Sequence, residues 1–486
     1  MDIHWSAVIG DGLYQDSLVG LEFAAFSNYG VLLNELITSS RNIPLFETLG
    51  GTVTFLKFIS LVFSGLVVVI IFQRIGMKNK RMVWATALLI LIVFSGRISG
   101  VAETFDTPNQ LPIRILMVPI TIILAYLLAG LRGYGGPLIF GLIAPVIVFY
   151  NFETSFYCIL AMGFAFFIES ARKGALSVIT SGAAFTLSFL LSGAVLMLVL
   201  FDGSLGTIFA ELTQIMEQKI QSGTSGFAGL AVYFFPPFMW IMLHTIVLFA
   251  RYLLSIKDRS PLTPIEFQSI VIIGIIIGIG PYVMNRYSIA NMLIPFLLYT
   301  LLVMPKLMVG PRVDRVLWSF ILTVLIIPFI FGNPIKRLQA EHFIETFSAK
   351  LGDRLAPCLD GITASDALCD YTVQKAEELK ILVSENPGLK WLSGLSLNMS
   401  RLTGLQPALT QRAPFFFAHR EETRNIVLAS LRDLHAPFIA LDKAVIGNVA
   451  GVPPIVEQFQ KNLVLDAGYQ MIKETKYWII ARKPNP

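Results

Sequence analysis

The chain has 486 residues, 55% of them hydrophobic and only 14% charged, with 37 Lys and Arg against 32 Asp and Glu for a formal charge of +5. Soluble globular chains carry about 25% charged residues, so this composition, with a mean hydropathy of +0.69, excludes a wholly soluble protein and defines an integral membrane protein. There is no phosphate-cradling Gly-rich loop, nucleotide fold or Cys/His metal cluster, and the five histidines are dispersed, so neither a nucleotide-sugar donor nor a nucleic-acid partner is expected.

In chain order, residues 1–52 lack the basic start and apolar core of a signal peptide. Residues 21–38, LEFAAFSNYGVLLNELIT, place apolar side chains at helical spacing and predict an amphipathic helix lying on the membrane surface. From Val53 to about Phe331 apolar runs recur, each long enough to cross a hydrocarbon core about 30 Å thick. The candidate spans are 53–74, 82–97, 111–131, 136–150, 153–170, 175–201, 231–253, 265–282, 289–305 and 316–333. The fourth and fifth meet at Asn151-Phe152-Glu153, and fusing them would invert everything downstream. Residues 334–486 have soluble composition and read as an α/β domain: helical pattern at 336–352, 371–384 and 420–435, with strands at PFIALD (437–442) and KYWIIARK (476–483). The fold class is thus a polytopic α-helical membrane protein of about ten transmembrane helices with a C-terminal soluble α/β domain.

Lys and Arg concentrate in cytoplasmic loops. Here Arg74, Lys78, Lys80 and Arg81, then Arg132, then Arg172 and Lys173, then Arg251, Lys257 and Arg259, then Lys306, Arg312 and Arg315 fall in alternate loops. That pattern keeps spans four and five separate. It puts residues 1–52, the 281–291 turn and the C-terminal domain on the non-cytoplasmic side, so either the N-terminal stretch is translocated without a leader or a further transmembrane helix precedes Met1, the second being the favoured expectation. In that oxidising location Cys358 and Cys369, in APCLDGITASDALCDYT, are expected to close a short disulfide loop.

The turn PYVMNRYSIANMLIP, residues 281–295, sets Arg286 at the end of a span. An arginine is costly inside a bilayer and less so at its boundary, so Arg286 is either an interfacial anchor among belt tyrosines, Tyr282 and Tyr287, or a ligand for a charged headgroup. With its neighbours the stretch resembles the pattern of bacterial membrane glycosyltransferases of the GT-C class, in which a Tyr and a Gly-Arg-Ser-His-like element precede an Asn and a Leu-rich span ending in Pro. Tyr282, Arg286, Asn291 and Pro295 match; Asn285, Tyr287 and Ser288 replace the glycine, serine and histidine. The N-terminus is similar to that family's first outer loop through Asp2, His4-Trp5-Ser6, Gly10 and Ser27-Asn28-Tyr29-Gly30. Weaker parallels follow in the same order: Arg114 after a Pro-containing loop, Glu153 after FGLIAPVIVFYNFE, and Pro236-Pro237-Phe238-Met239-Trp240 opening the seventh span.

The resemblance implies transfer of a sugar from a polyprenyl-phosphate donor to a glycan, lipid or protein acceptor on the outer face, with an aspartate of the first outer loop as general base. Asp2 best fits that position, Asp11 and Asp16 are alternatives, and Asp106 lies further from the pattern. Arg286 offers a permanently charged fork for the lipid phosphate, with Tyr282, Asn291 and His4 beside it, although Asn291 equally suits a helix cap and His4 an interfacial position. Arg114 supports the site, and Glu153 supports it or caps the helix it opens. The family includes enzymes that use a divalent cation held by acids; this sequence clusters no set that obliges one. A transporter or lipid flippase is the alternative reading, through the broken-helix signals Pro145, Gly274, Gly278 and Gly280, and a noncatalytic scaffold of an envelope-assembly complex is another.

Overall fold

The structure, a computed structural model, describes residues 32, 59, 62–71, 116–131, 133–201, 235–285, 294–303, 311–313, 316, 366–393, 399, 403–409, 421–443 and 454–484. The expected surface helix at 21–38, the spans at 82–97 and 316–333 and the helix at 336–352 lie outside these residues, apart from the helical positions Leu32 and Val316.

Among the described residues the apolar part shows eight helices: α1 (Val62–Ile71), α2 (Met117–Leu128), α3 (Gly135–Tyr150), α4 (Phe152–Lys173), α5 (Ala175–Phe201), α6 (Phe235–Leu254), α7 (Pro264–Asn285) and α8 (Ile294–Val303). The stretches 154–173, 175–199, 238–258 and 264–281 are each long and apolar enough to cross a membrane, and in lipid only a helix lets such a run satisfy its own peptide groups. The apolar helices mark a membrane-associated protein.

α3 and α4 are separate helices that pack against each other. The break is Asn151, in extended backbone (φ −155°, ψ 103°), whose side-chain oxygen accepts from the Thr154 N–H at 3.1 Å and so caps α4. Ser155 ties the corner from the far side by donating its hydroxyl to the Ile147 carbonyl. α4 ends at Gly174, whose φ of 114° suits a residue without Cβ. α7 opens on a capping box: the Thr263 N–H donates to Glu266 at 2.7 Å, and the Glu266 N–H donates to the Thr263 hydroxyl at 3.2 Å.

α4 and α7 are central. About half of each is buried, whereas α5 exposes most of its leucines, Leu187 at 68% and Leu198 at 65%. Small residues set the close approaches, the usual means of helix association in lipid. A Cβ on Gly274 would stand 2.8 Å from Ala161 Cα, and one on Gly141 would collide with the Ser188 hydroxyl and the Phe185 carbonyl. Rings interlock across the same seams: Phe166 of α4 meets Phe267 of α7 edge-on at 5.1 Å, and Phe140 of α3 stacks on Phe185 of α5 at 6.0 Å.

The C-terminal stretch contains a four-stranded sheet in the order β1-β2-β4-β3, built from β1 (Lys390–Leu392), β2 (Phe438–Asp442), β3 (Gln470–Glu474) and β4 (Trp478–Arg482). β1 and β2 are parallel and the other pairs antiparallel. The helices are α9 (Asp366–Glu385), α10 (Glu421–Arg432) and α11 (Pro454–Asp466). Leu392, Ile439, Leu441 and Ile479 point into one core with α10 and α11; Trp391, Ala440, Trp478 and Ile480 point into another with α9. The alternation of period two thus buries both faces. Across the α9 face the buried Lys375 pairs with Asp442 at the end of β2, lies 5.1 Å from the Trp478 ring, and its backbone carbonyl accepts from the Trp478 indole at 3.1 Å. The helix expected at 371–384 falls within α9, and β2 and β4 fall within the strands expected at 437–442 and 476–483, while β1, α11 and β3 were not anticipated.

Two stability outcomes follow. Gly141→Leu is expected to cost about 1–3 kcal/mol through overpacking, read as a lowered thermal midpoint in detergent; Gly182→Leu, where a Cβ meets open space, is expected to leave the midpoint unchanged. Lys375→Met strands the buried Asp442 carboxylate and is expected to cost about 3–5 kcal/mol, measurable as lost hydrogen-exchange protection of β2 and β4.

Candidate functional site

The close approaches fix the relative direction of α4 and α7. Gly274 faces Ala161 and Gly278 faces Tyr157: rising number on α7 meets falling number on α4, so the helices are antiparallel. One further turn, about 6 Å along each axis, brings Tyr282 in the last turn of α7 level with Glu153 in the first turn of α4. α3 ends at the same level with Tyr150, and α7 closes at Asn285, one residue before Arg286.

This end of the bundle holds two buried hydrogen-bond donors without acceptors. Tyr150 is 3% exposed and Asn151 is fully buried, yet neither the tyrosine hydroxyl nor the asparagine Nδ2 has a hydrogen-bond partner. The asparagine is half employed: its Oδ1 also accepts from the Thr154 hydroxyl at 2.9 Å. Leaving a polar group unpaired in a dry site costs about 1–3 kcal/mol. Two such groups on adjacent residues form a small donor patch suited to an oxyanion or a sugar oxygen, and no described side chain at this end carries a charge to compete with them.

A second polar node lies deeper, between α6 and α8. The Tyr299 hydroxyl is 2.9 Å from His244 Nδ1, and the His244 ring is stacked 6.3 Å from Trp240. Among the described residues no three His, Cys, Asp or Glu side chains gather into a cation site.

The expected site residues are distributed as follows. Tyr282 and Glu153 lie at the donor-patch end by backbone position, with side chains outside the described set. Arg286, Asn291, Arg114, His4, Asp2, Asp11, Asp16 and Cys358 lie outside the described residues; Cys369 lies in α9 by its backbone alone. The side chain that caps α4 is that of Asn151, because a residue in extended backbone just before the first turn can reach the free N–H groups, whereas Glu153 is already inside the helix. Sequence reading missed Asn151 and Tyr150 as site residues. The signal for the first was present as Asn-Phe-Glu-Thr, an Asx cap with its donor three residues on; a buried hydroxyl without a partner has no sequence signal.

No family model, curated protein or solved structure matches the chain.

If the two donors serve a ligand, removing them should not hurt folding. Tyr150→Phe is expected to keep the thermal midpoint or raise it by about 1 kcal/mol equivalent, since it deletes an unpaired buried hydroxyl. Asn151→Ser retains a capping oxygen and should stay within about 0.5 kcal/mol, whereas Asn151→Ala loses the cap and about 1 kcal/mol. Strong destabilisation by Tyr150→Phe would show that the hydroxyl is structurally engaged.

Proposed function

We propose that the protein is a membrane glycosyltransferase of the GT-C type, moving a sugar from a polyprenyl-phosphate donor to an acceptor on the outer face of a bacterial inner membrane. The observation that carries this reading is the donor patch of Tyr150 and Asn151, at the end where α7 runs out toward Arg286. The resemblance of residues 280–295 and of the N-terminal stretch supports the same assignment.

In this reading an aspartate of the first outer loop, Asp2 or else Asp11 or Asp16, accepts the proton of the acceptor hydroxyl. The hydroxyl oxygen then forms its bond to the anomeric carbon as the bond from that carbon to the phosphate oxygen breaks, and the electron pair leaves on the lipid phosphate. Arg286 receives that growing negative charge, with His4, Asn291 and Tyr282 beside it and Arg114 and Glu153 in support. Neutral donors such as Tyr150 and Asn151 hold phosphate or sugar oxygens without adding a fixed charge that would hinder release. Residues 334–486 form the outer domain that covers this face, and the Cys358–Cys369 bridge fastens its start.

A specific observation favours a second reading as a transporter or lipid flippase: the His244–Tyr299 pair places a titratable group among apolar helices, as coupled transport often requires. The two readings separate in one assay. In membranes supplied with a radiolabelled polyprenyl-phosphate sugar, Arg286→Ala is expected to lower transfer at least about a hundredfold, the scale of losing one transition-state donor, with insertion unchanged. His244→Phe should leave transfer largely intact. Undiminished transfer in Arg286→Ala removes the assignment, and loss confined to His244→Phe favours transport.

A further inference from the structure

At the end of the bundle opposite Tyr150, the chain buries a second polar group that the proposed chemistry does not use. Arg172, in the last turn of α4, is only 5% exposed. Its guanidinium donates to the Ser260 carbonyl at 3.0 Å and to the Ser255 hydroxyl, while its Nε–H has no partner. Both partners are neutral. Among the described residues no carboxylate lies within ion-pair distance of it: the neighbouring Lys173 takes Glu169 at 2.6 Å, and Glu266 is held in the capping box of α7.

A guanidinium keeps its proton under any physiological condition, and burying it without a counter-charge is strongly unfavourable. The segment that holds Arg172 adds to the imbalance. Residues 255–260 carry Lys257 and Arg259, both exposed, with exposed Arg251 one turn earlier on α6. Among the described residues none of the three is in an ion pair, and Asp258 is the one acid of the segment. Around this cationic cluster the surface is apolar: Leu176 and Ile179, in the first turns of α5, are 74% and 67% exposed, and Leu254, immediately before Ser255, is 71% exposed. A phosphate beside greasy leucines on two flanking helices is the arrangement of a lipid headgroup above its acyl chains.

We propose that this end of the bundle is a binding site for the phosphate of an anionic phospholipid, with Arg172 Nε as its buried donor and Arg251, Lys257 and Arg259 as its rim. The phosphate supplies the missing counter-charge and so braces the turn from α6 to α7 against the end of α4. The site is independent of the chemistry at the Tyr150 end and stands or falls separately from it.

The test uses the full chain purified in neutral detergent, with its thermal midpoint read after adding phosphatidylcholine, phosphatidylglycerol, or inorganic phosphate with phosphatidylcholine. Phosphatidylglycerol is expected to raise the midpoint above the phosphatidylcholine value. Arg172→Gln should abolish that rise. The double variant Lys257→Gln/Arg259→Gln, which changes exposed side chains only and cannot unfold the core, should weaken the apparent affinity by about fivefold per charge removed; it decides the matter if Arg172→Gln does not fold. An absent preference for phosphatidylglycerol in the native chain, or a preference that survives in both variants, overturns the proposal. An equal rise with inorganic phosphate overturns the lipid assignment.

Discussion

The contact between α4 and α7 is the constraint on which the rest of the helical part depends. Among lipid tails a leucine gains little by turning inward, so helices associate by close approach of backbones rather than by burial of oil. Gly274 against Ala161 and Gly278 against Tyr157 permit that approach and also set its register. Once α4 and α7 are locked antiparallel, the Tyr150–Asn151 corner must lie level with the end of α7. By the same register, Arg172 must lie beside the turn that precedes α7. The buried Gln268 of α7, reaching the Ile122 carbonyl at 3.4 Å, ties α2 to the same pair.

Polar side chains within the bundle divide by depth. Several inside the helices bond backward to their own backbone, Thr121 to the Met117 carbonyl at 2.7 Å, Thr245 to Ile241 at 2.6 Å, Ser188 to Ala184 at 2.7 Å and Thr300 to Phe296 at 2.9 Å, while Gln268, Ser192 and the His244–Tyr299 pair bond from one helix to another. The backward bond needs no partner from elsewhere. Among the described residues, the buried side-chain atoms left without partners belong to Tyr150, Asn151 and Arg172, and all three stand at helix ends. Within the bundle these polar groups find partners, on their own helix or the next, while the ends of the bundle keep polar capacity for something outside it. The two ends also differ in kind: one keeps neutral donors, the other a full charge.

Much of the helical pattern was legible because a lipid-spanning run announces itself by composition. The ranges 136–150, 175–201 and 265–282 agree with α3, α5 and α7 to within a few residues. The separation of α3 from α4 was legible from the charge alternation, but its cause was misassigned: the cap was expected from Glu153, whereas Asn151 provides it. Arg172 was not legible as a buried residue. Beside Lys173 it reads as loop charge, yet α4 continues to Lys173 and the 255–260 segment, distant in sequence, folds over it. The same limit applies to the sheet. β2 and β4 have apolar runs long enough to read, but β1 is three residues long and β3 places only Met471 against the core, so pairing partners rather than local pattern define them. The resemblance pointed to Arg286, which lies outside the described residues, and nothing in the sequence pointed to Tyr150, since whether a hydroxyl finds a partner is decided by packing.

The break at Asn151 explains why Arg172 lies at the end of the bundle opposite Tyr150. A continuous helix from Gly135 to Lys173 would run about 58 Å at 1.5 Å per residue, nearly twice a hydrocarbon core of about 30 Å, so the chain must turn back on itself. Asn151, fully buried, does this and restores α4 to about 33 Å, a length matched to one crossing. With α7 antiparallel to α4, the chain position that follows α7 falls at the Asn151 end and Arg172 at the other. Charge placement along the sequence and helix register in space therefore impose the same alternation, and a shift of register by one turn at Gly274 would both block the close approach and move Arg172 away from Ser255 and Ser260. Packing and electrostatics are thus not independent here: the glycines that let α4 and α7 meet also determine where the buried arginine can be held.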